Sequence, residues 1–399
     1  WVHKQPFPLY TMALSMLIFG KNVIALRLPS ILLSTLAIFS TYKIGEILIT
    51  KRVGIIAAFL FAINGLIIEQ TAGRVATDHI DVFFFSLISF AVYYGLKSIT
   101  FSSNTYLILS AVFTGLAILS KWLPALIVFP LWLIYGYGKQ SKAVTIKQSA
   151  LYLIIVSVIV LPWQLYINDY FPIEAAWESA YNMKHIFETI APHGRPFYYH
   201  FDKMRIIFGE LIYLPFLWLI YIFFKNKNQQ RNLFLLVWIL VPYLFFSFVQ
   251  TKMQGYILFC APAIFITIAL FFEYLWEVKS KYHYIPKTIA VLLLLLPIRY
   301  SIERVKPFSN TDRSPAWISE MEALDNKDRS ALKVIFNCKY PIETMFHTDF
   351  TAYEIIPPIN KLKNLTDQGY SVYIDNYNDS RTDLIDIPLI KFIKITGNN

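Results

Sequence analysis

The chain has 399 residues, of which 56% are hydrophobic and only 16% charged, and its mean hydropathy is +0.49. A soluble globule of this length needs more charge to cover its surface, so the composition excludes an ordinary soluble protein. The net charge of +10 does not point to nucleic acid, because the excess lysine and arginine sit in short connections between apolar runs.

The aromatic share of 17% suits lipid contact and the headgroup interface. Cys260 and Cys338 are the only two cysteines, too few for a disulfide framework or a metal-ligand spacing. Cys260 lies in an apolar run and Cys338 in a polar tail, so we expect them not to pair. The opening Trp1-Val2-His3-Lys4-Gln5-Pro6 is polar, with no starting Met, signal peptide or first span, and reads as the start of an N-terminally incomplete chain.

In chain order, the short stretch Pro8 to Phe19 follows prolines and predicts an interfacial helix rather than a span. Runs near 23–42, 53–69, 79–96, 105–120, 123–137, 149–167, 206–224, 232–250, 256–277 and 284–300 approach the ~20 residues that cross a bilayer, giving about ten spans. One set of alternate connections carries Lys43, Lys51, Arg52, Lys97, Lys139, Lys142, Lys147, Lys225, Lys227, Arg231, Lys279 and Lys281. The opposite set carries mostly single cations: Arg74, Lys121 and Lys252. The positive-inside rule puts the first set in the cytoplasm. It puts residues 1–20, the loop 168–204 and the tail from about 301 outside. That tail alternates β-rich runs (332–337, 370–375, 387–395) with helical patterns (315–324, 358–368), which predicts a small α/β domain with strands of roughly five to seven residues. The expected organisation is a membrane domain over 1–300 and an extracytoplasmic α/β domain over 301–399.

Ionisable groups at membrane depth are costly and mark candidate sites. Asp78 and Asp81 are spaced to share one helix face where a span opens, as acids facing a cavity or as an N-cap with an Arg partner. Lys4, fixed by Pro6 and Pro8, is placed either to hold a lipid phosphate or to snorkel to headgroups. Lys252, near Ser247, Gln254 and Tyr256, is a phosphate contact or an interfacial anchor. His185, His193 and His200 follow no known metal spacing, and a polar loop roofing a cavity is the preferred reading.

The segments Lys4-Gln5-Pro6-Phe7-Pro8-Leu9-Tyr10, Ala25 to Ser30, Arg74 to Asp78, Leu119-Ser120-Lys121, His193 to Tyr199, and Ser247 to Tyr256 with Pro262 carry a resemblance through their order. Over about residues 3–277 the chain resembles the bacterial polyprenyl-phosphate-dependent glycosyltransferases, related to protein O-mannosyltransferases and the lipid A aminoarabinose transferase. The resemblance implies a polytopic α-helical GT-C-like fold in the bacterial cytoplasmic (inner) membrane. It also implies transfer of a sugar from a polyprenyl-phosphate-linked donor to an extracytoplasmic lipid, glycan or protein. Lys4, Arg74 and Lys252 are then the donor-phosphate ligands. Asp78 is a secondary acid or base, and Asp81, Lys121, His193, Arg195, Tyr198 and Tyr256 line the substrate cavity. Gln5 departs from the usual first proline, and the family's principal acids belong to a loop that would precede Trp1. The donor is already activated, so no cofactor is required, although a divalent metal is compatible. Expected partners are the lipid-linked sugar, the acceptor and membrane lipids, with no nucleic acid. A transporter or lipid flippase, or an inactive truncated product, is the rival reading; paired halves with broken spans would mark a transporter, and none is visible.

Overall fold

The computed structural model describes residues 4–74, 80–190, 193–225, 228–279, 281–282, 284–309, 315–375 and 390–395. The chain divides into two units, one formed by Trp1–Ile18 and Ile24–Pro307 and the other by Phe19–Val23 and Phe308–Asn399.

The first unit is helical. It begins with α1 (Pro6–Phe19), α2 (Val23–Leu48), α3 (Lys51–Ala62), α4 (Gly65–Thr71), α5 (Ile80–Thr100), α6 (Asn104–Lys121) and α7 (Val128–Gly136). It continues with α8 (Lys142–Tyr170), α9 (Pro172–Phe187), α10 (Tyr199–Phe208), α11 (Tyr213–Phe224), α12 (Gln229–Phe248), α13 (Ala261–Glu277) and α14 (Tyr284–Val305). Among the described residues seven helices are long and apolar enough to cross a membrane, or eight if α3 and α4 form one bent span. This is fewer than the ten runs read from hydropathy. The runs at 123–137 and 206–224 both fold as shorter apolar helices that open in 3-10 turns, Leu123–Ile127 and Glu210–Ile212. Gly209, at φ +103°, separates α10 from the second of these turns.

The helices sort by solvent. α5 and the Gln254–Glu277 segment are 83% and 94% buried over their apolar windows, whereas α8 and α14 are each 17% buried. The peripheral helices therefore offer Leu, Ile and Val to lipid, and the enclosed pair forms the axis of one continuous core. α5 lies along α6, α6 along α8, and α13 along α3. Some interior hydroxyls and indoles find partners across the seams between helices. The Ser110 Oγ donates to the Ala91 carbonyl at 2.7 Å, Trp132 Nε1 to Ser98 Oγ at 3.0 Å, and Trp238 Nε1 to the Phe259 carbonyl at 3.0 Å. Where α2 meets α3, a Cβ on Gly54 would lie 2.3 Å from the Tyr42 carbonyl oxygen, so the two backbones approach only because that side chain is missing.

The loop expected at 168–204 contains α9 and α10. Their polar faces keep mean hydropathy low, so no long apolar run marks them in the sequence. Pro172 at its start presets the φ of α9.

The second unit is a four-stranded parallel sheet with order β2-β1-β3-β4. Among the described residues its elements are α15 (Ala316–Lys327), β1 (Lys333–Phe336), α16 (Pro341–His347), β2 (Thr351–Ala352), α17 (Ile359–Asp367), β3 (Ser371–Asp375) and β4 (Ile390–Ile393). Alternate residues serve opposite faces. Ile335 and Tyr373 pack with Trp317 and Met321, whereas Val334, Val372 and Ile374 pack with Leu362. The strands are shorter than expected, at two to five residues. Asn337, at φ 57°, turns the chain out of β1. β2 has only two residues and no apolar run to announce it. Asp328 ties the network together, accepting from the Tyr373 hydroxyl at 2.5 Å and from Ser330 N at 3.0 Å. Burial alone would raise its pKa, but these and the other bonds from Ser330 and Ser371 hold it well below the usual carboxylate range.

Asn64 sets the 57° bend between α3 and α4. Its Oδ1 accepts from Ile67 N at 3.1 Å as an N-cap, while its Nδ2 donates to the Ile207 carbonyl at 2.6 Å. Asn64→Ala removes a cap and leaves a buried carbonyl without this donor, so detergent-solubilised protein should lose about 2–4 kcal/mol of stability. Thermal unfolding measures this, and a change within error would mean that packing alone sets the bend.

Candidate functional site

α5 opens, and α4, α6, α12 and α14 close, at the same end of the first unit, where Asp81 and Lys121, both singled out by sequence, meet. Asp81, in the first turn of α5, is 4% exposed and accepts a hydrogen bond from the ammonium of Lys121, the last residue of α6. The Lys121 ammonium lies 4.7 Å from the Tyr256 ring centroid. Lys121 is followed by Trp122 at φ 78°, ψ −166°, a region almost closed to side-chain-bearing residues. This backbone costs about 1–3 kcal/mol and turns α6 sharply into its 3-10 continuation just where the ammonium is delivered.

Behind Asp81 the chain passes at Gly255. A Cβ there would stand 2.2 Å from Asp81 Oδ2 and 2.7 Å from Gln70 Nε2. A side chain at this point of the Gln254–Cys260 turn would have to displace the ends of the Asp81 and Gln70 side chains. Gln70, delivered by α4, is 1% exposed.

Lys252 occupies the turn before that segment. It is 4% exposed and its Nζ donates to the Val249 carbonyl at 2.5 Å. The turn is clamped by the last turn of α9 and the segment after it. Lys252 N donates to the His193 carbonyl at 3.1 Å, Thr251 N to the His185 carbonyl at 3.1 Å, and Gly194 bridges Thr251. His200, fully buried in α10, is held neutral. Burial and then the charge of Lys252 push its pKa down to about 4. Burial also lowers the pKa of Lys252.

Lys4 is exposed and the segment that follows it is anchored at two points. The neighbouring Gln5 Oε1 accepts from Gln164 Nε2 at 3.4 Å, and the Phe7 ring meets the Phe83 ring of α5 edge-on at 6.1 Å. Burial and then the charge of Lys4 lower the pKa of His185, so that charge is felt at α9.

The remaining predicted residues divide. Arg74 Nη1 donates to the Val305 carbonyl at 2.6 Å, closing the end of α14. Arg195 and Tyr198 are exposed, with Arg195 Nη1 donating to the Gly194 carbonyl at 2.9 Å. His193 joins the clamp through its backbone. Asp78 lies outside the described residues. Sequence reasoning missed Gln70 and Gly255. The polar pair Glu69-Gln70 ending an apolar run was a usable signal, whereas nothing in the sequence distinguishes Gly255 from a turn glycine. Among the described residues no group of three or more His, Cys, Asp or Glu is placed to hold a metal ion.

A family described as dolichyl-phosphate-mannose-protein mannosyltransferase matches residues 3–166. An undecaprenyl phosphate-alpha-4-amino-4-deoxy-L-arabinose arabinosyl transferase of Pseudomonas savastanoi pv. phaseolicola is 24% identical over 283 residues, covering 67% of this chain and 51% of its own. Its Pseudomonas paraeruginosa counterpart is 25% identical, covering 64% and 47%. The chain thus spans about half the length of these curated relatives. The crystal structure of ArnT from Cupriavidus metallidurans bound to undecaprenyl phosphate aligns with a TM-score of 0.64 at 14% identity, covering 96% of this chain and 85% of that one. The archaeal oligosaccharyltransferase AglB from Archaeoglobus fulgidus aligns with a TM-score of 0.55 at 15% identity, covering 88% and 56%. The chain has the polytopic GT-C fold of these proteins, with the small sheet at its C-terminal end.

The Gly255 contact yields a coupling test. Gly255→Ala should drive a methyl into Asp81 and lower stability by about 1–3 kcal/mol. Gly255→Ala with Asp81→Ala should recover part of that loss, because the atom struck is gone. A thermal-unfolding cycle reads the coupling, and strictly additive losses would count against the contact.

Proposed function

We propose that this chain is the membrane-embedded body of a glycosyltransferase that moves a sugar from a polyprenyl-phosphate donor to an acceptor outside the cytoplasm of a bacterial cell. The observation carrying this reading is the meeting of Asp81, Lys121 and Tyr256 within the helical unit, with the buried Lys252 in the turn before Tyr256. The named relatives, arabinosyl transferases of undecaprenyl-phosphate-linked aminoarabinose, support the donor class.

The chemistry asks two things of the protein. An acceptor hydroxyl attacks the anomeric carbon as the bond from that carbon to the phosphate oxygen breaks. A carboxylate takes the hydroxyl proton, and cations hold the charge collecting on the departing lipid phosphate. In this reading Lys4 is the principal phosphate ligand, because it is exposed at the surface where the donor arrives. Lys252 contributes positive charge from a buried position, and its hydrogen bond to Val249 leaves two ammonium protons for other acceptors. Arg74 is the weaker assignment, since part of its guanidinium is committed to Val305. Asp78 acts as a secondary acid or base. Asp81, Lys121, His193, Arg195, Tyr198 and Tyr256 bound the substrate cavity.

Transfer from a radiolabelled polyprenyl-phosphate sugar in proteoliposomes tests the assignment on the natural protein that contains these residues. Lys4→Ala should lower turnover at subsaturating donor about tenfold or more, the loss expected for a charge-assisted phosphate contact. In the same assay Asp78→Asn should slow transfer while the protein remains folded. Unchanged rates would return Lys4 to a headgroup contact and Asp78 to a helix cap.

The loop charges support an extracytoplasmic C-terminal domain in the inner membrane. A phosphatase reporter fused after Asn399 should be active in a bacterial host, and a reporter that works only in the cytoplasm silent. The opposite pattern would invert the topology and place the charged end on the wrong side for this reaction.

A further inference from the structure

α9 carries its polarity the wrong way round for a helix in water. Ile173, Trp177, Tyr181 and Phe187 share one face and are exposed, Ile173 by 81% and Phe187 by 71%. The face turned to the protein is the more polar one. Half-buried Glu178, Asn182 and His185 lie there, and Asn182 Nδ2 donates to Glu178 Oε1 at 3.2 Å. The buried Ala175 packs with Ile167 of α8. An amphipathic helix in water does the opposite, burying its apolar stripe and showing its polar one. Lys184 shares the exposed face near its end, where a long stem lies along apolar surface with its ammonium among headgroups.

Both ends of α9 are fixed to the ends of spans. Phe171 alone separates it from Tyr170, the last residue of α8. At its other end the carbonyls of His185 and Ile186 accept from Thr251 N and Gln250 N, each at 3.1 Å, just past the end of α12. α8 and α12 are each long and apolar enough to cross a bilayer, and the loop charges put both of these ends on one face. The charges of Glu174, Glu178 and Lys184 keep α9 itself out of the hydrocarbon. An aromatic series joins the two helices. Tyr166 meets the rings of Trp163, Tyr170 and Phe171 at 5.8, 4.9 and 6.0 Å, and in α9 Trp177 stacks on Tyr181 at 5.0 Å. Aromatic rings at the end of a lipid-facing span mark the headgroup level.

We propose that α9 docks in the plane of the bilayer surface, with Ile173, Trp177, Tyr181 and Phe187 seated at the boundary between headgroups and acyl chains. The proposal does not depend on the glycosyltransferase reading. The lipid seat continues the surface that α8 presents, since α8 is only 17% buried. It turns the polar face of α9 inward. It also holds the backbone of Gln250 and Thr251, and with it the Lys252 turn, at the height of the bilayer surface.

Spin labels on the full chain, in nanodiscs of phosphatidylethanolamine and phosphatidylglycerol, test this. Ile173→Cys, Ala180→Cys and Phe187→Cys each place a label on the exposed face of α9, and Lys363→Cys, exposed on α17, gives the reference in water. Cys260 and Cys338 are buried, and the unsubstituted chain labelled in parallel gives the background. Oxygen concentrates among acyl chains and a nickel chelate in water, so relaxation by the two reads depth. The three α9 labels should favour oxygen, at a common depth of about 5–10 Å, and the Lys363 label should favour nickel. A helix rising from the surface would instead separate the Ile173 and Phe187 labels by about 20 Å in depth, and that gradient overturns the proposal. Nickel access at Ala180 equal to that at Lys363 overturns it too, because the face would then stand in water. Low access to both reagents would mean a protein cover and also overturns it, with dipolar broadening between labels identifying that cover as a second copy of the chain.

Discussion

A carboxylate at the end of an apolar helix bundle needs a counter-charge, and the pairing of Asp81 with Lys121 meets that need. The pair links the start of α5 to the finish of α6, the two helices that run side by side through the unit. Several local features make sense only in relation to it. Trp122 accepts a costly backbone so that α6 ends on the ammonium, and Gly255 gives up a side chain so that the next segment can pass the carboxylate. Buried ion pairs are weak sources of stability, and apolar replacements often do as well. The pair here is flanked by a strained residue and by a glycine whose added Cβ would crowd the carboxylate.

The rest of the helical unit supplies a rigid frame around that pair. The enclosed α5 and α13 carry few lipid contacts, while α2, α8 and α14 face the hydrocarbon with aliphatic side chains. Apolar burial cannot drive association in lipid as it does in water, so the interior seams use small residues and hydroxyl or indole hydrogen bonds. Asn64 shows how the frame reaches the site. One amide caps α4, ties the bend to α10 and so fixes the axis along which Gln70 arrives beside Asp81.

Hydropathy made the spans legible because lipid imposes one simple rule on every exposed side chain. The parallel α/β tail was legible for a related reason, since β1 and β3 are buried on both faces and read as apolar runs. Features decided by tertiary contact were not. The break at Gly209, the 3-10 openings before α7 and α11, and the two-residue β2 leave no periodic trace. Helices α9 and α10 were lost inside a polar loop because their amphipathic faces average out. At the site, Asp81, Lys121, Lys252 and Tyr256 were flagged as isolated polar or aromatic groups near span ends. Their assembly, and the dependence on Gly255 and Gln70, required coordinates, because residues far apart in sequence meet there.

The cations at this end are not equivalent, and their hydrogen bonds rank them. Arg74 closes the last turn of α14 through Val305, and Arg304 Nε lies 2.5 Å from Glu69 Oε2, so both serve the junction of α4 and α14. Lys252 caps the carbonyl that ends α12, where the helix dipole also favours positive charge. Lys4 and Lys121, like Arg195, have side chains that reach the surface. In the proposed reading Lys4 and Lys121 differ in what binding a phosphate would cost, because Lys4 lies on an anchored segment at the surface whereas Lys121 is held by Asp81.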